Sequence, residues 1–158
     1  TFIRFGRSAI PAFTTPYDEF KIGKGIILRD GYDVALIANG LLVWEALLAA
    51  DELEKKKGIK ARVINLHTVK PIDKEIIIQA AKDCGAIVTA EEHQIHGGMG
   101  SAVAEVLASN YPTPVEFVGI KDRFGLSGEP DELLAYFGLN KDEIYRAALR
   151  AIQRIGKV

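Results

Sequence analysis

One cysteine and three histidines are all that 158 residues hold of the side chains most used for redox and soft-metal chemistry. A lone cysteine excludes an internal disulfide and any cluster of cysteine ligands, and it fits a reducing compartment. Charge of one sign is also missing: 20 Lys and Arg stand against 21 Asp and Glu, for a net charge of −1. That balance leaves no basic field for nucleic acid or an anionic membrane. The run Glu54-Lys55-Lys56-Lys57 is short and mixed, and reads as the solvated end of a helix. No apolar run approaches the length of a membrane span and no signal-peptide pattern is present, so the expectation is a cytoplasmic protein. The length suits one core domain. With no initiator Met, we expect further chain before Thr1.

The residues present have the order of an α/β protein. "TFIRFGRSAIPAFTTPYDEF" has no helical period and contains Pro11 and Pro16, so it reads as a short strand, Phe2 to Phe5, followed by an extended connector. Asp30-Gly31 between two apolar runs predicts a tight hairpin reversal, which makes the next two strands antiparallel. "VALIA" is a continuous apolar run expected of a strand covered on both faces, followed by a helix from about Leu41 to Lys57. "ARVINLH" is another strand. Asp73 caps the helix after it, Gly85 ends that helix, and Cys84 falls on its apolar stripe as a core residue. "AIVTA" is the next strand, and Met99, Val103, Val106 and Leu107 mark the helical face beyond it. "TPVEFVGI" supplies the last strand. Two helices close the chain, the second with capping-box spacing at Asn140 and Glu143 and a stripe of Ile144, Ala148, Ile152 and Ile155. The predicted architecture is a three-layer α/β/α domain with a five-stranded mixed sheet, mostly parallel with one antiparallel strand.

Chemistry concentrates in "AEEHQIHGGMGSAV", residues 90–103. It sits at the carboxyl end of a parallel strand leading into a helix, where ligands gather in open sheets. Glycines there could let an anion reach free helix N–H groups. The pattern Gly97-Gly98-Met99-Gly100 is neither the dinucleotide GxGxxG nor a phosphate loop. Glu91, Glu92, His93 and His96 lack the one-face spacing of helical HExxH, and no metal site is expected. Ser101 has no nucleophile elbow around it. The remaining reading is a tight strand-to-helix turn whose polar side chains face solvent or a neighbouring domain.

Three segments together resemble the carboxyl-terminal domain of transketolases: "INLHTVKPID", "TAEEHQIHGGMGSAVAEVL" and "GIKDRFGLSGEPDELLAYFGL". Deoxyxylulose-phosphate synthases and the beta subunits of two-oxoacid dehydrogenases share that fold and a similar glycine turn. His93 after Glu91-Glu92, with "HTVKP" and "DRFGLSG", favours transketolase, particularly the split form made of two shorter chains. The resemblance implies a five-stranded mixed sheet with one antiparallel strand.

It also implies a cofactor, thiamine diphosphate with Mg, bound across a dimer interface by an amino-terminal diphosphate domain and a middle pyrimidine domain. The metal motif and the activating glutamate of those domains do not occur here, so Glu91 and Glu92 are not assigned that role, and no catalytic residue or bound cofactor is expected in this chain alone. Residues 1–23 are expected to be the tail of the pyrimidine domain and a linker, and 24–158 the carboxyl-terminal domain. "IRFGRSAIP" is similar to the family strand that carries a substrate-phosphate arginine four residues before a proline, which points to Arg7; Ser8-Ala9 depart from the family's amide side chains. Arg4 reads as structural or as an exposed ion pair. Glu92, His93, Gly97, Gly98 and Gly100 are expected at a domain interface. The implied partners are the remaining domains or an amino-terminal subunit, a second copy in a homo-dimer, and sugar phosphates. Deoxyxylulose-phosphate synthase, a dehydrogenase beta subunit and a purely structural docking module are the alternatives.

Overall fold

The computed structural model describes residues 2–6 and 9–156. Its sheet is built from β1 (Ile26–Arg29), β2 (Val34–Ala38), β3 (Ala61–Asn65), β4 (Ile87–Gln94) and β5 (Val115–Ile120) in the order β1-β3-β2-β4-β5. β1 runs antiparallel to β3, and the other pairings are parallel. Side chains of β2 alternate between the two faces, and both faces are covered. Val34, Leu36 and Ala38 join a core with α1 (Leu42–Lys57) and α5 (Lys141–Gln153). Ala35 and Ile37 join a second core with α2 (Lys74–Cys84) and α3 (Met99–Asn110). This is the expected three-layer mixed α/β domain. α4 (Pro130–Phe137) buries none of its residues fully. Among the described residues no helix is long and apolar enough to cross a membrane.

Local chemistry sets the helix ends. Asp73 accepts the Ile76 N–H at 3.4 Å and also the Gly25 N–H at 3.0 Å, so one carboxylate caps α2 and fixes the start of β1. Gly85 ends α2 at φ 76°, a left-handed conformation that glycine adopts at little cost. Asn140 caps α5 by accepting the Glu143 N–H at 3.0 Å. Cys84 is buried on the α2 stripe.

Two expectations about strands need correction. Residues 2–6 form no strand; they are exposed, because a strand exists only against a neighbour and this chain offers them none. The arm through residues 9–22 touches the body at Phe13, packed on the first core, and at Phe20, whose ring centroid lies 4.4 Å from that of His67. The Asp30-Gly31 reversal does turn the chain antiparallel, but β1 and β2 are not a hairpin, since β3 lies between them. The turn instead crosses the start of β3: the Tyr32 and Asp33 N–H groups both donate to the Lys60 carbonyl, at 3.0 and 3.1 Å.

Gly31 makes that crossing possible. A Cβ there would meet the Lys60 carbonyl oxygen and lie 2.5 Å from the Ala61 carbonyl carbon, both backbone atoms that cannot swing aside. Gly31→Ala should therefore destabilise the chain by about 3 kcal/mol, as forced overpacking does. Urea denaturation measures it; a midpoint equal to wild type would show that the crossing has room for a Cβ.

Candidate functional site

Helix α1 leaves β2 on one face of the sheet, and α3 leaves β4 on the other. Between the carboxyl ends of these adjacent strands the connections diverge, opening the crevice that open α/β sheets use for ligands. A shallow cleft of about 280 Å³ lies there, with Asn39, Val69, His93, His96 and Gly97 among its lining residues.

β4 does not end at Ala90 as the sequence suggests; it runs four residues further, so Glu91, Glu92 and His93 belong to the strand and not to the turn. Pairing with β5 passes from Ala90↔Val118 directly to Gln94↔Ile120, so β4 carries extra residues at this point. Such a bulge re-aims side chains. Glu91, 1% exposed, is turned into the chain: its Oε2 accepts the Met99 N–H at 2.7 Å and its Oε1 the Gly100 N–H at 2.8 Å. The carboxylate closes the amino end of α3, where N–H groups lack intrahelical partners and the helix dipole favours negative charge. Gly98, the capping residue by position, has no side chain to do this. The expectation that the polar side chains of this stretch face outward thus fails for Glu91, which no local capping pattern reveals because it lies eight residues before Met99.

Each glycine of the turn has a separate cause. Gly97 is left-handed at φ 76° and exposed, and its N–H donates to Ser101 Oγ at 2.9 Å. That hydroxyl donates in turn to the Ile95 carbonyl at 2.7 Å, tying both sides of the turn together. Gly98 is extended, at φ −86° and ψ −166°, so conformation does not demand glycine; space does, since a Cβ would strike the Glu91 carboxylate and lie 2.5 Å from the Gln94 carbonyl oxygen. Gly100 is buried, and a Cβ would come within 2.6 Å of Thr89 Oγ1 and 2.9 Å of the Phe117 ring. Within this chain Gly100 answers to internal packing. Glu92 is exposed and His93 about one third exposed, at the mouth of the cleft.

His93 Nδ1 stands 3.7 Å from Glu91 Oε2, too far for a hydrogen bond. Burial pushes the His93 pKa below its ordinary value, and the Arg4 guanidinium lowers it further, against the opposing pull of Glu91 and Glu92. His67 is lowered by burial as well, and its Nε2 is buried without a hydrogen-bond partner among the described residues. Arg4 is exposed, with no ion-pair partner among the described residues; Arg7 lies outside them. Also among the described residues, no three His, Cys, Asp or Glu side chains converge in a way that would hold a metal ion. Nor do these residues fit thiamine diphosphate: the glycine turn could cradle a diphosphate only through N–H groups at the start of α3, and Glu91 has already taken two of them.

A family model, transketolase C-terminal domain, matches residues 23–144. The chain belongs to the transketolase C-terminal domain family. It is 46% identical over 153 residues to the 6-deoxy-6-sulfo-D-fructose transketolase subunit SqwH of Clostridium sp. (strain MSTE9), covering 97% of this chain and 47% of that protein. It is 49% identical over 124 residues to 1-deoxy-D-xylulose-5-phosphate synthase 1 of Geobacter sulfurreducens, covering 77% of this chain and 19% of that protein. A solved split gene transketolase, an inactive beta4 tetramer, superposes with a TM-score of 0.90 at 44% identity, over 94% of this chain and 48% of that one. The chain thus spans about half the length of these transketolase relatives.

Two measurements probe the site. Glu91→Ala leaves two N–H groups of α3 without their charged acceptor and should cost about 2–3 kcal/mol, whereas exposed Glu92→Ala should change stability by less than about 0.5 kcal/mol. Equal urea midpoints for the two variants would refute the cap. The histidines predict a pH dependence. With folded pKa values below the unfolded value near 6.5, His67 and His93 take up protons more readily in the unfolded chain. Their contribution to stability is complete above 6.5 and declines as pH falls from there toward the folded pKa values. The melting temperature should drop between about pH 8 and about pH 5, and the His67→Gln/His93→Gln variant should show a shallower drop. An unchanged slope would remove the histidines as its cause.

Proposed function

We propose that this chain is the carboxyl-terminal portion of a thiamine-diphosphate-dependent transketolase, working in assembly with an amino-terminal part that holds the cofactor. The observation that carries this reading is the 46% identity to a transketolase subunit across 97% of the chain, together with coverage of only 47% of that subunit. The closed start of α3 supports it from the physical side, since the glycine turn has few free N–H groups to offer a diphosphate. The complete enzyme would move two-carbon ketol units from ketose phosphates to aldose phosphates. Thiamine diphosphate with Mg would supply the chemistry and the protein the positioning.

In this proposal residues 1–23 are the end of the pyrimidine domain and a linker, which accounts for the exposed Phe2, Ile3 and Phe5 as side chains that another domain covers. Residues 24–158 form the third domain, with Glu92, His93 and the Gly97 turn at an interface in a homo-dimer. Cytoplasmic location follows from that metabolic role. The second reading, a deoxyxylulose-phosphate synthase, draws on the 49% identity to such an enzyme and differs in its donor, pyruvate, which must lose carbon dioxide.

Mixing the chain with its amino-terminal counterpart, thiamine diphosphate and Mg tests the proposal. Ketol transfer should require both parts, and neither the chain alone nor the mixture given pyruvate should show turnover. Carbon dioxide release from pyruvate would favour the synthase. Within the active assembly Arg7→Ala should lower kcat/KM for phosphorylated sugars by about tenfold to a hundredfold, the worth of a charge-assisted contact, and leave unphosphorylated sugars nearly unaffected. Equal losses on both substrates would show that Arg7 does not read phosphate.

A further inference from the structure

A second cleft, also of about 280 Å³, lies where the end of β5 meets α4 and the start of α5. Its lining includes two cations, Lys121 and Arg123, and two aromatic residues of α4, Tyr136 and Phe137. Neither cationic side chain has a hydrogen-bond or ion-pair partner among the described residues. The acid in the lining, Glu143, is already engaged, accepting from Arg150 at 2.9 Å and from Arg146 at 3.3 Å. The uncompensated charge of the cleft is therefore positive.

The backbone carrying those cations is held in place. Asp122, between them, has φ 50°, a conformation that costs a residue with a side chain. Gln94, at the end of β4, clamps it: its Oε1 accepts the Asp122 N–H at 2.9 Å and its Nε2 donates to the Arg123 carbonyl at 3.0 Å. Tyr136 and Phe137 meet edge to face, with centroids 5.1 Å apart. Unpaired cations beside an aromatic wall, in a concavity near the small end of the range for ligand pockets, match a small molecule with an anionic head and a flat apolar body. Arg and Lys together suit the oxygens of a phosphate monoester.

We propose that the β5–α4 cleft is a binding site for a small phosphate monoester with an aromatic or apolar body, gripped by Lys121 and Arg123 against Tyr136 and Phe137. Titration of the full chain with phenyl phosphate, followed by amide NMR shifts at constant ionic strength, tests it. Shifts should saturate and map to residues 117–123 and 135–138, and Lys121→Gln/Arg123→Gln should weaken binding about tenfold or more. Because both side chains are exposed, that variant should keep the wild-type melting temperature, so loss of binding is not loss of fold. Inorganic phosphate and phenol, each lacking half of the ligand, should both bind more weakly than phenyl phosphate. Shifts that do not saturate, equal affinity in the Gln variant, or either half binding as tightly as the whole would overturn the proposal.

Discussion

The bond on which the site depends runs from a strand to the helix that follows it. Glu91, buried at the end of β4, holds two N–H groups of α3 with a single carboxylate. A buried charge is costly unless paired, and here its compensation is the positive end of a helix together with two short hydrogen bonds. The other local features follow from this contact. Helix α3 must start close against β4, so Gly98 and Gly100 can carry no Cβ. The chain between them must turn outward, which Gly97 allows by its left-handed backbone and Ser101 secures. His93, two residues along the bulged strand, is left at the mouth of the cleft.

The sheet and its layers were largely legible because they rest on local periodicity. "VALIA" is apolar throughout and is buried throughout. Asp73, Gly85 and Asn140 announce helix ends through short-range chemistry, and each does what its type suggests. Strand order was less accessible. Asp30-Gly31 reports a reversal of direction, which is local, but says nothing of which strand fills the space beside β1; that depends on the closeness of Gly31 to residues 60–62, thirty positions away.

The site was located but misread in detail for the same reason. Residues 90–103 were recognisable from position and composition, while the inward turn of Glu91 was not, because it requires a bulge that exists only in pairing with β5. Gln94 is the second residue that sequence reasoning passed over. Its clamp on residues 122 and 123 spans 28 and 29 positions, and nothing in "EEHQIHGG" marks that glutamine as different from any exposed polar residue.

These two side chains show how one strand end serves both of its neighbours. Glu91 faces α3 and satisfies a helix start, whereas Gln94, three residues on, reaches the loop after β5 and holds Asp122 in a costly conformation. A glycine-rich strand-to-helix turn usually suggests a ligand for the free N–H groups of the helix. Here that ligand is part of the chain, so the turn behaves as a closed joint and its glycines answer to packing. What remains available for recognition is then the surface the joint shapes: the His93 cleft on one side, the arm residues with their exposed aromatic rings, and the cation-bearing loop that Gln94 fixes on the other. What such a strand end offers is rigid surface, fixed on one side by a carboxylate that closes a helix and on the other by an amide that pins a loop.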